Sequence, residues 1–216
     1  MNSDSLKPSG KLVWRVMLVL TGMIIVSASI WLTLSNTRTR ENRESSAPIS
    51  SQAVSAPEPL MNQDLIYPTD KLFIIQDRVD YESGSMTLDI PRLELNTPVL
   101  GDVDEETTLK KGVGLYDYAQ PPGPGNRNVS IAGHRDVYGA EFLKIDTIGA
   151  GDLLYLTYQG VKYTYEYEDT TIVASDNWDP IRCKDFSSIT LTSCDPIGTS
   201  LNRIIVTGRL IAVDAI

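Results

Sequence analysis

The chain has 216 residues, 42% of them hydrophobic, and a formal net charge of −9, which gives room for one domain of ordinary size with further segments attached. The charge is uneven: residues 1–43 carry six Lys/Arg against two Asp/Glu, and residues 44–216 carry 13 against 26. A body that acidic is a poor match for the phosphate backbone of a nucleic acid, so nucleic-acid binding is set aside.

Val16 to Leu34, VMLVLTGMIIVSASIWLTL, runs 19 residues without a charge. As a helix it rises roughly 28 Å, close to a hydrocarbon core of about 30 Å. A cleaved signal peptide is the competing reading. The run exceeds the usual h-region of about 7–15 residues, and only Ser27-Ala28-Ser29 resembles a cleavage site, so a retained anchor is expected. Lys7, Lys11 and Arg15 precede it and Arg38, Arg40 and Arg43 follow it, so loop charge alone does not orient it. Ser35 to about Asp70 is rich in Ser, Pro, Asn, Gln and Thr with no apolar period, which predicts a flexible tether with a span of roughly 33 Å.

From about Leu72 the texture changes to short alternating runs separated by Gly, Pro, Asn and Asp. MTLDI (86–90) and NVSIAG (128–133) read as strands. DLLYLTY (152–158) and VKYTYEYE (161–168), joined by Gln159-Gly160, read as a hairpin. TIVAS (171–175), SITLTS (188–193) and RIIVTGRLIAV (203–213) add three strands. DEETTLKKG (104–112) has the marks of a short helix, with Asp104 as N-cap, lysines in the last turn and Gly112 as stop. Seven or eight short strands with few helices predict an all-β sandwich or barrel.

The one histidine, His134, stands just past a strand in IAGHRD. HRD also occurs in kinase catalytic loops, but no Gly-rich phosphate loop or DFG accompanies it. Two Cys and one His offer no familiar metal-ligand spacing. Cys194 ends one strand and Arg203 begins the next, so all three residues can converge on one rim. A thiol needs a base or imidazolium to become a thiolate, and a guanidinium can hold an acyl oxygen as charge develops on it. Against this, Cys194 reads equally well as half of a disulfide with Cys183, which an extracytoplasmic domain permits, or as buried filler.

MTLDIPRLELNTPVLGDVDEETTLKKGVGLY, then PPGPGNRNVSIAGHRD, TLTSC and RIIV, in that order over about residues 81–213, resemble the sortases, membrane-anchored cysteine transpeptidases of bacterial cell surfaces. The family signature T-L-x-T-C is met by Thr190, Leu191 and Cys194, with Ser193 in place of the usual Thr. The resemblance implies Cys194 as nucleophile, His134 as acid/base partner and Arg203 as the residue that positions substrate and stabilises the oxyanion. It implies an all-β, eight-stranded sortase-type barrel with short helices, preceded by one transmembrane helix. The chain then divides into a cytoplasmic N-terminus (1–11), an anchor (12–34), a flexible extracytoplasmic linker (35–80) and a catalytic domain (81–216).

The implied reaction cleaves an LPxTG-like sorting signal of a secreted surface protein between Thr and Gly, through a Cys thioester. The new carboxyl then passes to an amine such as a peptidoglycan precursor or pilin lysine. A class D or E sortase is expected rather than a pilin-polymerising class C member, since NWDP (177–180) lies after the histidine and suits a substrate-side loop. No cofactor is expected. Calcium would need Asp102, Asp104, Glu105, Glu106, Glu166, Glu168 or Asp169, which otherwise form a solvated face. From other classes, a disulfide-closed adhesion or scaffold domain and a plain thiol protease stand as alternatives.

Overall fold

The computed structural model describes residues 66–216. Among these, no helix is long and apolar enough to cross a membrane; the expected N-terminus and anchor (1–34), and the expected linker up to residue 65, lie outside the described residues. The described chain forms one eight-stranded sheet built from β1 (Met86–Ile90), β2 (Leu95–Val99), β3 (Gly114–Leu115), β4 (Asn128–Ala132), β5 (Leu153–Tyr158), β6 (Val161–Ala174), β7 (Ser188–Asp195) and β8 (Asn202–Ala215). Its order is β2-β1-β5-β6-β8-β7-β4-β3. A single parallel bridge, Leu100 to Gly114, joins the two edges and nearly closes the barrel. Gly114 is required there, because a Cβ would sit 1.9 Å from the Asp102 carbonyl oxygen.

Alternation sets the inward face. In β1, Met86, Leu88 and Ile90 are fully buried while Thr87 and Asp89 are half-exposed. Leu154 and Leu156 of β5, Ile131 of β4, Ile189 and Leu191 of β7 and Val206 of β8 complete the same core, each such side chain contributing about 1.5–3 kcal/mol by burial. The expected hairpin forms, with Gln159 and Gly160 at φ 50° and 76°, the left-handed pair that a two-residue turn between twisted strands needs.

The sequence reading departs from the structure in three places. The strands expected at 161–168 and 171–175 are one, β6, because register shifts at Thr164/Tyr165 and Tyr167/Asp169 let it stay paired with the equally long β8. β2 and β3 were not expected as strands; β2 contains Pro98, tolerated because β2 is an edge strand. Residues 105–111 form consecutive turns rather than a helix. Asp104 does cap them, its carboxylate accepting from the Glu106 and Thr107 amides (3.1 and 2.7 Å). Its carbonyl, however, accepts from both Thr108 and Leu109 (3.0 and 2.9 Å), a first turn wider than an α-helix propagates.

The described part of the expected linker, residues 66–80, packs on the barrel. The amides of Ile66 and Tyr67 donate to the Asn126 side chain (3.0 and 2.9 Å). The four-residue helix α1 (Gln76–Val79) inserts Arg78, 8% exposed. Its guanidinium donates to the carbonyls of Tyr116 (2.7 Å), Gly101 (2.6 Å) and Leu115 (3.1 Å). Those acceptors flank the Leu100–Gly114 bridge, so Arg78 staples the barrel at its thinnest join.

Candidate active site

Three neighbouring strands bring the three expected residues to one rim. β7 and β8 are antiparallel, and their register sets Cys194 directly opposite Arg203; paired residues of a ladder share a face, with Cβ atoms about 4.5–5.5 Å apart. On the other side of β7, β4 runs parallel to it, pairing Ala132 with Thr192. Continuing that register two residues places His134 level with Cys194. All three line one cleft of about 220 Å³.

Several bonds fix the end of β4. The Gly133 amide donates to the Thr192 carbonyl (3.1 Å), and the buried Ser193 hydroxyl donates to the Gly133 carbonyl (2.7 Å). Ser193 thus keeps the hydroxyl that a Thr would supply. The His134 carbonyl accepts from the amide of the fully buried Phe142 (3.0 Å). The half-buried His134 ring lies 5.1 Å from the Tyr138 ring, and its Nε2 is buried with no hydrogen-bond partner among the described residues. A buried ring nitrogen without a protein partner is open to a substrate proton. Arg203 Nη1 donates to the Ser200 and Asn202 carbonyls (3.1 and 3.0 Å). These neutral acceptors leave its charge uncompensated by that contact.

The cleft walls include residues that the sequence reading did not single out. Tyr116, just after β3, sits near Thr192, Arg203 and Cys194; burial pushes its phenol up, opposed first by the Thr192 hydroxyl and then by the Arg203 charge. Trp178, within the NWDP stretch expected to shape the substrate side, meets Tyr116 edge to face at 6.1 Å. A buried polar post holds that loop. Asn128 donates to the carbonyls of Pro180 and Arg182 (3.0 and 2.8 Å), and Lys184 donates to Pro180 O and Thr190 Oγ1 (3.0 and 3.2 Å). A tryptophan in an otherwise polar loop was the available signal.

Cys183 and Cys194 are both free, so the disulfide reading does not hold. Cys183 is 3% exposed, its thiol donates to Gln120 Oε1 (3.0 Å), and burial pushes its pKa up. That is the environment of an inert structural thiol, whereas Cys194 opens into the cleft. Among the described residues, no three His, Cys, Asp or Glu side chains are placed to hold a metal ion. Of the carboxylates weighed for calcium, Asp104 caps the 105–111 turns and Glu168 forms a two-pronged ion pair with Arg209 (both contacts 2.9 Å).

A sortase-domain family model matches residues 88–211. Sortase SrtE1 of Streptomyces coelicolor is 29% identical over 143 residues, covering 59% of this chain and 40% of that protein. Sortase A of Bacillus anthracis is 29% identical over 129 residues, covering 59% of this chain and 60% of that protein. The match therefore spans roughly two- to three-fifths of those relatives' lengths. The crystal structure of Sortase E1 from Streptomyces coelicolor, with a tripeptide in its active site, aligns with a TM-score of 0.57 at 26% identity, over 62% of this chain and 91% of that one. The family match covers more than half of the sequence and includes Cys194, His134 and Arg203, so the chain belongs to the sortase family.

Proposed function

We propose that this protein is a class E-like sortase, a cysteine transpeptidase that cleaves an LPxTG-like sorting signal between Thr and Gly and joins the new carboxyl to an amine. The observation that carries the reading is the rim: Cys194 opposite Arg203 in the β7–β8 register, with His134 level with them on the parallel neighbour β4. Cys194, as thiolate, attacks the scissile carbonyl, and Arg203 stabilises the negative charge that develops on the carbonyl oxygen. His134 delivers a proton to the departing glycine nitrogen as the C–N bond breaks, leaving a thioester on Cys194. An incoming amine attacks that thioester and passes its proton back toward His134; the C–S bond breaks and an amide forms. Water as acceptor gives hydrolysis instead.

The Tyr116–Trp178 wall supports a peptide substrate, because it gives the cleft beside Cys194 apolar aromatic surface on which a side chain can pack. The anchor over 12–34, with the N-terminus inside and the catalytic domain outside a bacterial membrane, fits an enzyme acting on secreted surface proteins. Similarity to the Streptomyces class E sequence and structure favours class E over a pilin-polymerising role. The test is mass spectrometry of the purified protein with a library of LPxTG-like peptides and several amines. Peptide–amine conjugates that disappear in Cys194→Ala support the reading. Hydrolysis with no amine in any product would make the protein a thiol protease, and no turnover at all would favour a binding domain.

A further inference from the structure

One buried charge at the rim belongs to none of the three roles above. Arg135, the residue after His134, is 4% exposed. Its Nη1 lies 2.5 Å from Asp195 Oδ1 and donates to the Cys194 carbonyl (3.3 Å), and its Nη2 pairs with Asp146 Oδ1 (3.2 Å). One guanidinium thus grips the backbone of the nucleophile, the carboxylate next to it and the 3-10 turn Ile145–Thr147. It does so from the chain position adjoining the acid/base histidine.

We propose that Arg135 is a positioning residue of the sortase site: it locks the His134 segment to the Cys194–Asp195 strand end and offsets the Asp195 carboxylate beside the nucleophile. The inference rests on the reading of Cys194 as nucleophile and His134 as its acid/base partner. Beyond strand β4, Gly133 is still tied to Thr192 and Ser193 of β7, and past it the Phe142 amide and the Arg135 fork hold the His134 segment. A planar fork with several donors suits that task, because it fixes direction as well as distance. The electrostatic half follows from what surrounds the thiol. His134 faces it from the end of β4, Arg203 from β8, Tyr116 from beyond β3 and Glu105 from the turns before β3. Asp195 adds a negative charge on its own strand, 17% exposed and matched by Arg135. Without Arg135 that carboxylate would oppose formation of the Cys194 thiolate.

The test uses the purified full chain, a fluorogenic sorting peptide for kcat and KM, and the pH dependence of Cys194 alkylation by iodoacetamide. Arg135→Lys keeps a charge and serves as the variant that folds, but one ammonium cannot meet the Cys194 carbonyl, Asp195 and Asp146 together. It is expected to lose up to about 10²-fold in kcat, the scale of a small misplacement, with KM and the alkylation midpoint held. Arg135→Gln is expected to lose kcat as well and to move the alkylation midpoint upward. Adding Asp195→Asn to Arg135→Gln should return the midpoint and leave kcat low. Wild-type kcat and midpoint in Arg135→Lys and in folded Arg135→Gln, with only the melting temperature lowered, would overturn the inference and leave Arg135 a structural residue. Turnover that survives Cys194→Ala would instead overturn the nucleophile reading, so the two failures are distinct.

Discussion

Cys194 and Arg203 occupy one rung of the β7–β8 ladder, nine residues apart in sequence and directly opposite in the sheet. The loop between them returns the chain so that thiol and guanidinium share a face. Their relation is therefore set by the backbone pairing of the two strands. If Arg203 stabilises the oxyanion, the geometry of its planar fork matters as well as its charge. Arg203→Lys should then lose on the order of 10²–10³ in turnover, the usual cost of one oxyanion donor. The loss should fall on kcat with KM little changed, since the interaction strengthens in the transition state. Near-wild-type turnover with a fluorogenic sorting peptide would remove Arg203 from the site.

The two thiols should respond oppositely to alkylation. Cys194 lines the cleft, while Cys183 is buried, hydrogen-bonded to Gln120 and pushed up in pKa by burial. Iodoacetamide should place one label on the native protein, at Cys194, and none on folded Cys194→Ala. Denaturation should release Cys183 for labelling in both. Peptide mapping that recovers a Cys183–Cys194 disulfide from the native protein would contradict this arrangement.

Much of this was legible in the sequence, for a physical reason. β1, β5, β7 and β8 announce themselves by alternation or by β-branched runs, since each buries one or both faces, and Cys194, His134 and Arg203 stand at strand ends in a spaced motif. What stayed hidden is held by polar groups or by pairing. Arg78 gave no signal in the sequence, because it docks through backbone carbonyl acceptors, which no hydrophobic pattern records. The two-residue strand β3 is too short to carry a period. The parallel pairing of β4 with β7, which sets His134 beside Cys194, follows from tertiary topology that local propensity does not encode.

The Arg78 staple gives a truncation test. A chain starting at residue 66 retains Arg78 and the Asn126 contacts, while one starting at residue 81 loses both. The shorter chain leaves the carbonyls of Tyr116, Gly101 and Leu115 without their guanidinium donor at the barrel seam. It should be less stable by at least about 2 kcal/mol, the order of cost for buried polar groups left unmatched. Urea unfolding of the two proteins measures the difference. Equal midpoints would show that the seam closes without α1.

Lys184 predicts a pH dependence whose sign can be worked out. Burial within the β6–β7 loop, against Pro180 and Thr190, lowers its pKa to about 8 from the usual 10.5. Protonated Lys184 is therefore disfavoured in the folded state relative to the unfolded one. Below about pH 8 both states hold the proton, and the full penalty is present. Between about pH 8 and 10.5 the folded protein releases its proton first, so the unfolded state binds more protons and stability rises with pH. Lys184→Met has no such group, and subtracting its stability profile removes the background of the other titrating side chains. The difference, wild type minus Lys184→Met, should climb across that window by at most about 3.4 kcal/mol, taking 1.36 kcal/mol per unit. The hydrogen bonds to Pro180 and Thr190 set its offset but not its direction. A flat or falling difference in denaturant midpoints from pH 7.5 to 10 would show that the Lys184 ammonium is solvated in the folded protein.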